Sequence, residues 1–213
     1  MDVSEMLTDL EDQGFDATSA RMVEIINQVQ WDIASRQAWP QLEKSIDLNF
    51  DGSKMAPTNW PARFRAALKV FVKSNGLRLP PWRLDDFYET YADQLTQMGT
   101  PQLYFMEQEQ LQFYPIPSAA NGVVTLKYIE YPAELTSSSL EADIWLPLRF
   151  HRGVLVNGAA AKLAAMEDDL ELATYFENQM EKAYMQMEAD LWRWQYDQPD
   201  YIHVVDDDNW SLA

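Results

Sequence analysis

The chemistry open to this sequence is narrow, because it holds two histidines, His151 and His203, and no cysteine. Without thiols there are no disulfides and no thiolate metal sites. His203 stands near Asp206, Asp207 and Asp208, whose oxygens suit a divalent cation, yet the run lacks the glycine and closing glutamate of an EF-hand loop. His151 lies between Arg149 and Arg152 on a predicted helix and reads as a histidine at the surface or the edge of the core. No serine occupies a G-x-S-x-G elbow, and no glycine-rich phosphate loop occurs. The neighbouring carboxylates Asp85-Asp86 and Glu167-Asp168-Asp169 resemble glycosidase pairs. They fall at predicted helix starts, where negative charge meets the positive end of the helix dipole, so caps are the expected role. The sequence therefore predicts no catalytic residue, no metal site and no cofactor.

The elements that must carry whatever function remains belong to a folded protein. Of the 213 residues 47% are hydrophobic, enough to bury a sizeable core. The formal charge of −18, from 34 acids and 16 bases, argues against a general binder of phosphate backbones, which needs clustered lysine and arginine. It suits a surface that repels DNA, an acidic mimic of DNA, or a face for a basic partner. The start MDVSEMLTDLED is acidic and amphipathic, unlike a secretory signal. The apolar stretch from Gly153 to Met166 is too short for a membrane span.

Periodicity predicts a mixed α+β fold: a helical bundle from the N- and C-terminal helices, with a small antiparallel β domain, sandwich- or barrel-like, inserted between them. Residues 1–44 read as N-terminal helices. Asp2 or Ser4 starts the first, and Thr18 or Ser19 caps the second, in which Met22, Ile25, Ile26, Val29 and Ile33 share one face. Residues 45–135 change to a period of two with frequent proline and glycine. Asp51-Gly52 and Asn75-Gly76 are predicted turns, and Leu68, Val70 and Val72 one strand face. A short helix is expected from Asp85 as cap to Gly99 as stop. Two strands should flank Glu107-Gln108-Glu109. The stretch LQFYPIPSAANGVVTLKYIEYP, Leu111 to Pro132, reads as the second of these strands joined by a turn to one more. Residues 136–198 return to helix, with Pro147 at its first position. The core side is expected to be Leu148, Val154 or Leu155, Ala159, Leu163 and Met166. A last helix capped by Asp168-Asp169 follows, with Leu172, Phe176, Met180, Tyr184, Met187, Leu191 and Trp194 in line. Residues 199–213 read as an extended tail.

Eight tryptophans are many for this length. Trp31 and Trp39 are assigned to the bundle. Trp192, Trp194 and Trp210 lie near a chain end that one domain would struggle to cover. Trp192 and Trp194 are therefore candidate residues of a subunit or tail interface.

Several segments, in order, resemble the head-to-tail adaptor (connector) proteins of tailed bacteriophages. The stretch GTPQLYFMEQEQLQFYPIPSAANGVVTLKYIEYPAEL carries Gly99, Pro101 and Tyr104, then Tyr114, Pro115 and Pro117, then Tyr128 and Pro132, in the spacing of that family. IWLPLRFHRGVLVNGAAAKLAAMEDDLELATYFENQMEKAYMQM is similar to its Leu-Pro helix start, alanine-rich helix and acidic turn into a long last helix. RMVEIINQVQWDIASRQAWPQL is similar to its helix with a central Ile-Asn and a closing tryptophan. The likeness spans most of residues 18–195, and SKMAPTNWPARFRAALKVFV departs from the family's Tyr-x-Leu-Pro turn.

The resemblance implies a non-enzymatic virion protein at the head–tail interface, assembled in the host cytoplasm. Such adaptors form a homo-oligomeric ring, usually twelve-fold, under the portal protein. The ring extends the DNA channel and docks tail or nozzle proteins. DNA would pass without specific binding, since a wall of like charge does not retard sliding, and no membrane is involved. In that setting Tyr201, Ile202, Val204, Val205 and Trp210 are the candidate portal-contact tail, apolar residues in a segment too short to build its own core. Two other classes share parts of the composition. An acidic DNA mimic would need carboxylates at phosphate-like spacing, and a sugar-binding tail protein would use Trp60 or Trp82.

Overall fold

The computed structural model describes residues 1–118 and 124–196, with the side chains of the last helix as far as Leu191. In chain order come α1 (Val3–Asp12), α2 (Ser19–Arg36), β1 (Glu43–Leu48), β2 (Phe64–Val72), β3 (Pro81–Trp82) and α3 (Leu84–Tyr91). The chain continues through β4 (Met98–Gly99), β5 (Leu103–Glu107), β6 (Gln110–Tyr114), β7 (Ile116–Pro117) and β8 (Val124–Glu130). It ends in α4 (Asn157–Met166) and α5 (Leu170–Tyr196). The mixed α+β class stands, with small open sheets in place of a closed barrel. The chain divides into two compact units, residues 1–29 with 135–213, and residues 30–134.

The first unit is helical. Asp2 opens α1 with a reciprocal cap: its carboxylate accepts from the Glu5 amide at 2.9 Å, and the Glu5 carboxylate accepts from the Asp2 amide at 2.9 Å. One face of α1 then buries Val3, Met6, Leu7 and Leu10. Thr18 caps α2 through Oγ1, which accepts from the Arg21 amide at 3.3 Å. Pro147 lies one residue ahead of a 3-10 turn, Leu148–Phe150, and is extended, not the first helical residue. A π-helical stretch, His151–Val156, follows and runs into α4. This stretch corrects the expected core line, since Leu148 and Met166 are each 52% exposed. A π turn holds more residues than an α turn, so a count of three and four carried through it from Leu148 drifts off the buried face. That face is Val154, Leu155, Val156, Ala159, Ala160 and Leu163.

Glycine is required where these helices meet. A Cβ on Gly158 would sit 2.7 Å from Cγ1 of Val29 and 3.0 Å from Sδ of Met180. Replacing Gly158 with valine is expected to lower stability by about 2 kcal/mol, the overpacking cost exceeding the gain in helix propensity. Chemical denaturation measures it. Asp168 and Asp169 divide the joint between α4 and α5. Asp168, at φ +60°, takes the left-handed position that ends α4, and the Asp169 amide donates to Ala164 at 3.0 Å. Asp169 alone caps α5, its Oδ1 accepting from the Leu172 amide at 3.0 Å.

The second unit is built on a three-stranded antiparallel sheet in the order β1-β8-β2. Beside it lie a sheet ordered β3-β5-β6 and a two-stranded pair β4-β7, with β3 and β4 each parallel to their partners. Leu48, Val70, Val72, Leu111, Phe113, Val124 and Leu126 form the larger core. The expected pairing of the two strands within Leu111 to Pro132 is corrected. β6 pairs with β5, while β8 lies in another sheet, between β1 and β2. Pro115 and Pro117 lack amide donors and end the β6 ladder. β8 is buried on both faces, at Val124, Leu126 and Tyr128 and again at Thr125 and Ile129, which suits a central strand.

Two turns match their sequences. Gln108 and Glu109, at φ 49° and 63°, make the two-residue link from β5 to β6. After Asn75-Gly76, with Gly76 at φ 69°, the chain folds back on β2: the Val72 amide donates to Leu77 and the Leu79 amide to Val70, both at 2.9 Å. Leu68, expected beside Val70 and Val72, is instead 37% exposed, because the β2–β8 register shifts between Ala67 and Lys69. The short helix is also corrected. Arg83, not Asp85, precedes its first turn, it runs only to Tyr91 before a 3-10 turn at Ala92–Gln94, and Gly99 belongs to β4.

Candidate interaction surfaces

His151 is 1% exposed, deeper than the expected surface or core-edge position. Its Nδ1 lies 2.9 Å from the Met1 carbonyl and its Nε2 2.8 Å from the Leu146 carbonyl. Both ring nitrogens stand within hydrogen-bond distance of backbone carbonyls, which leaves no free edge for a ligand, so the ring acts as a strut. It borders a cavity of about 440 Å³ in which Asp2, Glu5 and Glu141 supply the carboxylates. Asp85 and Asp86 occupy the first turn of α3, and Asp168 and Asp169 serve the α4–α5 joint. Among the described residues no group of three histidine, aspartate or glutamate side chains is placed to hold a metal, and no helix is long and apolar enough to cross a membrane. His203 and Asp206–Asp208 lie outside the described residues. So do Tyr201, Ile202, Val204, Val205 and Trp210, and the side chains of Trp192 and Trp194.

The remaining tryptophans are parts of the fold or its margins. Trp39 is buried in the 30–134 unit, and its indole N–H donates to Ile33 at 2.9 Å. Trp31, on α2, is 40% exposed. Trp60 packs on Phe64 with ring centroids 4.6 Å apart, and Trp82 on Tyr91 at 5.7 Å. Trp60 and Phe64 also line a groove of about 550 Å³ with Met106, Glu109 and Tyr131. Arg65 borders this groove, its guanidinium donating to the carbonyls of Ala34, Ser35 and Gln37 at the end of α2. That arrangement neutralises the negative end of the helix.

Asn27 is a residue to which the sequence reading assigned no role. It is 3% exposed. Its amide nitrogen donates to the Leu135 carbonyl at 2.9 Å, while its oxygen accepts from the Leu135 amide at 2.8 Å. One side chain thus replaces a missing strand for a backbone 108 residues away. In the other unit Gln30 donates to the Ala133 carbonyl at 2.9 Å. The available signal was an amide side chain directly after the apolar pair Ile25-Ile26, which a helix keeps buried only with a partner.

Charge is distributed unequally. Residues 1–29 and 135–213 carry 22 acids against 6 bases, whereas residues 30–134 carry 12 against 10. On the outer face of β1-β8-β2, Asp47 is paired with Lys73 and accepts from the Thr125 hydroxyl at 2.7 Å. Lys73 first and Thr125 second hold the Asp47 carboxyl below its ordinary pKa. Lys69 and Lys127 stand opposite each other on the same face, both exposed.

Comparison with protein families gives a match. The model of the SU10 adaptor protein family covers residues 1–202. No curated protein matches the chain.

Proposed function

Because this chain belongs to the SU10 adaptor protein family, and so is a phage adaptor and a virion component, we propose that it forms a ring of identical copies beneath the portal. The ring, of about twelve subunits by analogy with head-to-tail adaptors, extends the DNA channel and docks tail components. The family match carries the reading, since it spans both compact units and stops only at residue 202. The excess of acids on the helical unit supports it. A wall rich in carboxylates and poor in lysine and arginine gives DNA little to adhere to during passage. The role is architectural, with no catalytic step assigned to any residue.

The test is the mass, by light scattering, of the chain alone and mixed with its portal protein. A ring-sized increment on the portal is expected. A chain that ignores the portal and instead inhibits a DNA-handling enzyme would replace this reading with an acidic mimic.

The C-terminal tail is assigned to the portal contact, through Tyr201, Ile202, Val204, Val205 and Trp210. Truncation after Pro199 is expected to abolish portal binding while leaving the circular dichroism spectrum and melting temperature unchanged. Unaltered binding by the truncated chain would sink the assignment.

A further inference from the structure

Lys69 on β2 and Lys127 on β8 are direct partners in the strand register. Like charges facing each other across a strand pair destabilise a sheet. A β-bulge creates the juxtaposition: Ala67 is opposite Tyr128 on the core face, and the extra residue Leu68 lets Lys69 come out opposite Lys127. Without that extra residue Leu68 would oppose Lys127, and the lysine would face the core.

In a chain with 34 acids, a neutralising carboxylate is the expected neighbour. Among the described residues neither lysine has one within ion-pair distance. The flanking acids on β1 are Glu43 and Asp47, on either side of Ser45, which stands opposite Lys127. Asp47 is held by Lys73 and Thr125, and Glu43 makes no ion pair among the described residues. The same unit displays the complementary charge elsewhere. On α3, Asp85, Asp86 and Glu89 are exposed and form no ion pair among the described residues. Glu89 lies three residues from Asp86 and four from Asp85, which puts its Cβ roughly 5–6 Å from theirs. The Cβ atoms of residues directly opposite across two strands are roughly 4.5–5.5 Å apart, a similar spacing at the base of the side chains.

We propose that the Lys69–Lys127 pair of one copy docks on the α3 carboxylates Asp85, Asp86 and Glu89 of a second copy. Donor and acceptor faces are different surfaces of one unit, so the contact is head-to-tail, the kind that propagates around a ring when the rotation closes. The inference takes the second copy as partner from the ring reading above.

The experiment compares four chains by sedimentation at low and high salt, alone and with the portal protein. They are wild type, Lys69→Glu with Lys127→Glu, Asp85→Lys with Glu89→Lys, and the four substitutions combined. Wild type is expected to self-associate more strongly at low salt. Reversal on either side should weaken association by about tenfold or more, and the combined variant should recover it. Should lysine disturb the start of α3, Asp85→Asn with Glu89→Gln gives the same direction without reversal. Lys127→Gln should raise the melting temperature of the isolated chain while weakening association, a combination that a purely structural lysine would not produce. Equal association by all four chains would overturn the proposal, and it would leave the ring reading intact if the portal increments persist. Lysine-dependent self-association without any portal increment would do the reverse. Loss of duplex DNA binding on lysine reversal, with association unchanged, would reassign the pair to phosphate contact and overturn the proposal.

Discussion

Replacing Asn27 with leucine is expected to lower the unfolding free energy by about 4 kcal/mol, because it strips partners from two buried backbone groups at once, each worth about 2 kcal/mol. Those groups are the amide and carbonyl of Leu135, itself 2% exposed. Asn27 is 3% exposed, and leucine adds volume where it is already packed. Urea denaturation of the two proteins measures the difference. A loss below about 1 kcal/mol, the net worth of an ordinary hydrogen bond, would mean that the Leu135 backbone finds other partners. Asn27→Asp sharpens the test. A carboxylate accepts from the Leu135 amide but has nothing to donate to its carbonyl, and it brings a charge into the core. Burial of that new carboxyl raises its folded pKa above the unfolded value of about 3.9. The sign follows: the protonated form, which donates as asparagine does, is favoured by the folded state. The defect of Asn27→Asp should therefore shrink as pH falls toward about 4 and grow as pH rises through the folded pKa. For Asn27→Leu no such difference is expected.

The second large effect is expected at Phe87. This residue is fully buried and stacks on Phe105 with ring centroids 4.1 Å apart. Tyr91 lies at 5.5 Å and Tyr114 at 5.2 Å, the latter edge-on. Leu103 completes the small core that joins α3 to the β5–β6 hairpin. Phe87→Ala should cost about 3–5 kcal/mol through lost burial and a cavity that the surrounding rings are too rigid to fill. Hydrogen exchange provides the more informative readout. Amides of β5 and β6 should lose protection, while those of α4 and α5, in the other unit, keep theirs. Uniform loss across both units would instead indicate that they unfold as one.

Local physics made part of this protein legible. The caps at Asp2, Thr18 and Asp169 follow from side chains that reach orphan amides within three residues of themselves. The β5–β6 hairpin and the Asn75-Gly76 reversal are likewise set by two or three consecutive residues. The mixed α+β class follows from a change of hydrophobic period, and membership of the adaptor family was carried by ordered short motifs. Among these Ile26-Asn27 marks the buried Leu135 clamp.

Most of the misplaced features depended on partners distant in the chain. β8 carries apolar residues on both faces, which says that it is central but not that β1 and β2, rather than β6, flank it. Pairing is chosen by the summed burial of the whole sheet, and neighbours along the chain have no privilege once Pro115 and Pro117 interrupt the ladder. The π stretch at His151–Val156 moved Leu148 and Met166 off the core line, a local change of winding that α-helical counting does not reveal. His151 needed two carbonyls, one of them 150 residues away, to become a buried strut. Composition alone established an acidic chain without thiol chemistry, and periodicity established its helices and strands. Register decided the rest: one bulged residue at Leu68 brought Lys69 opposite Lys127, because side chains alternate strictly along a strand and a shift of one residue exchanges its faces.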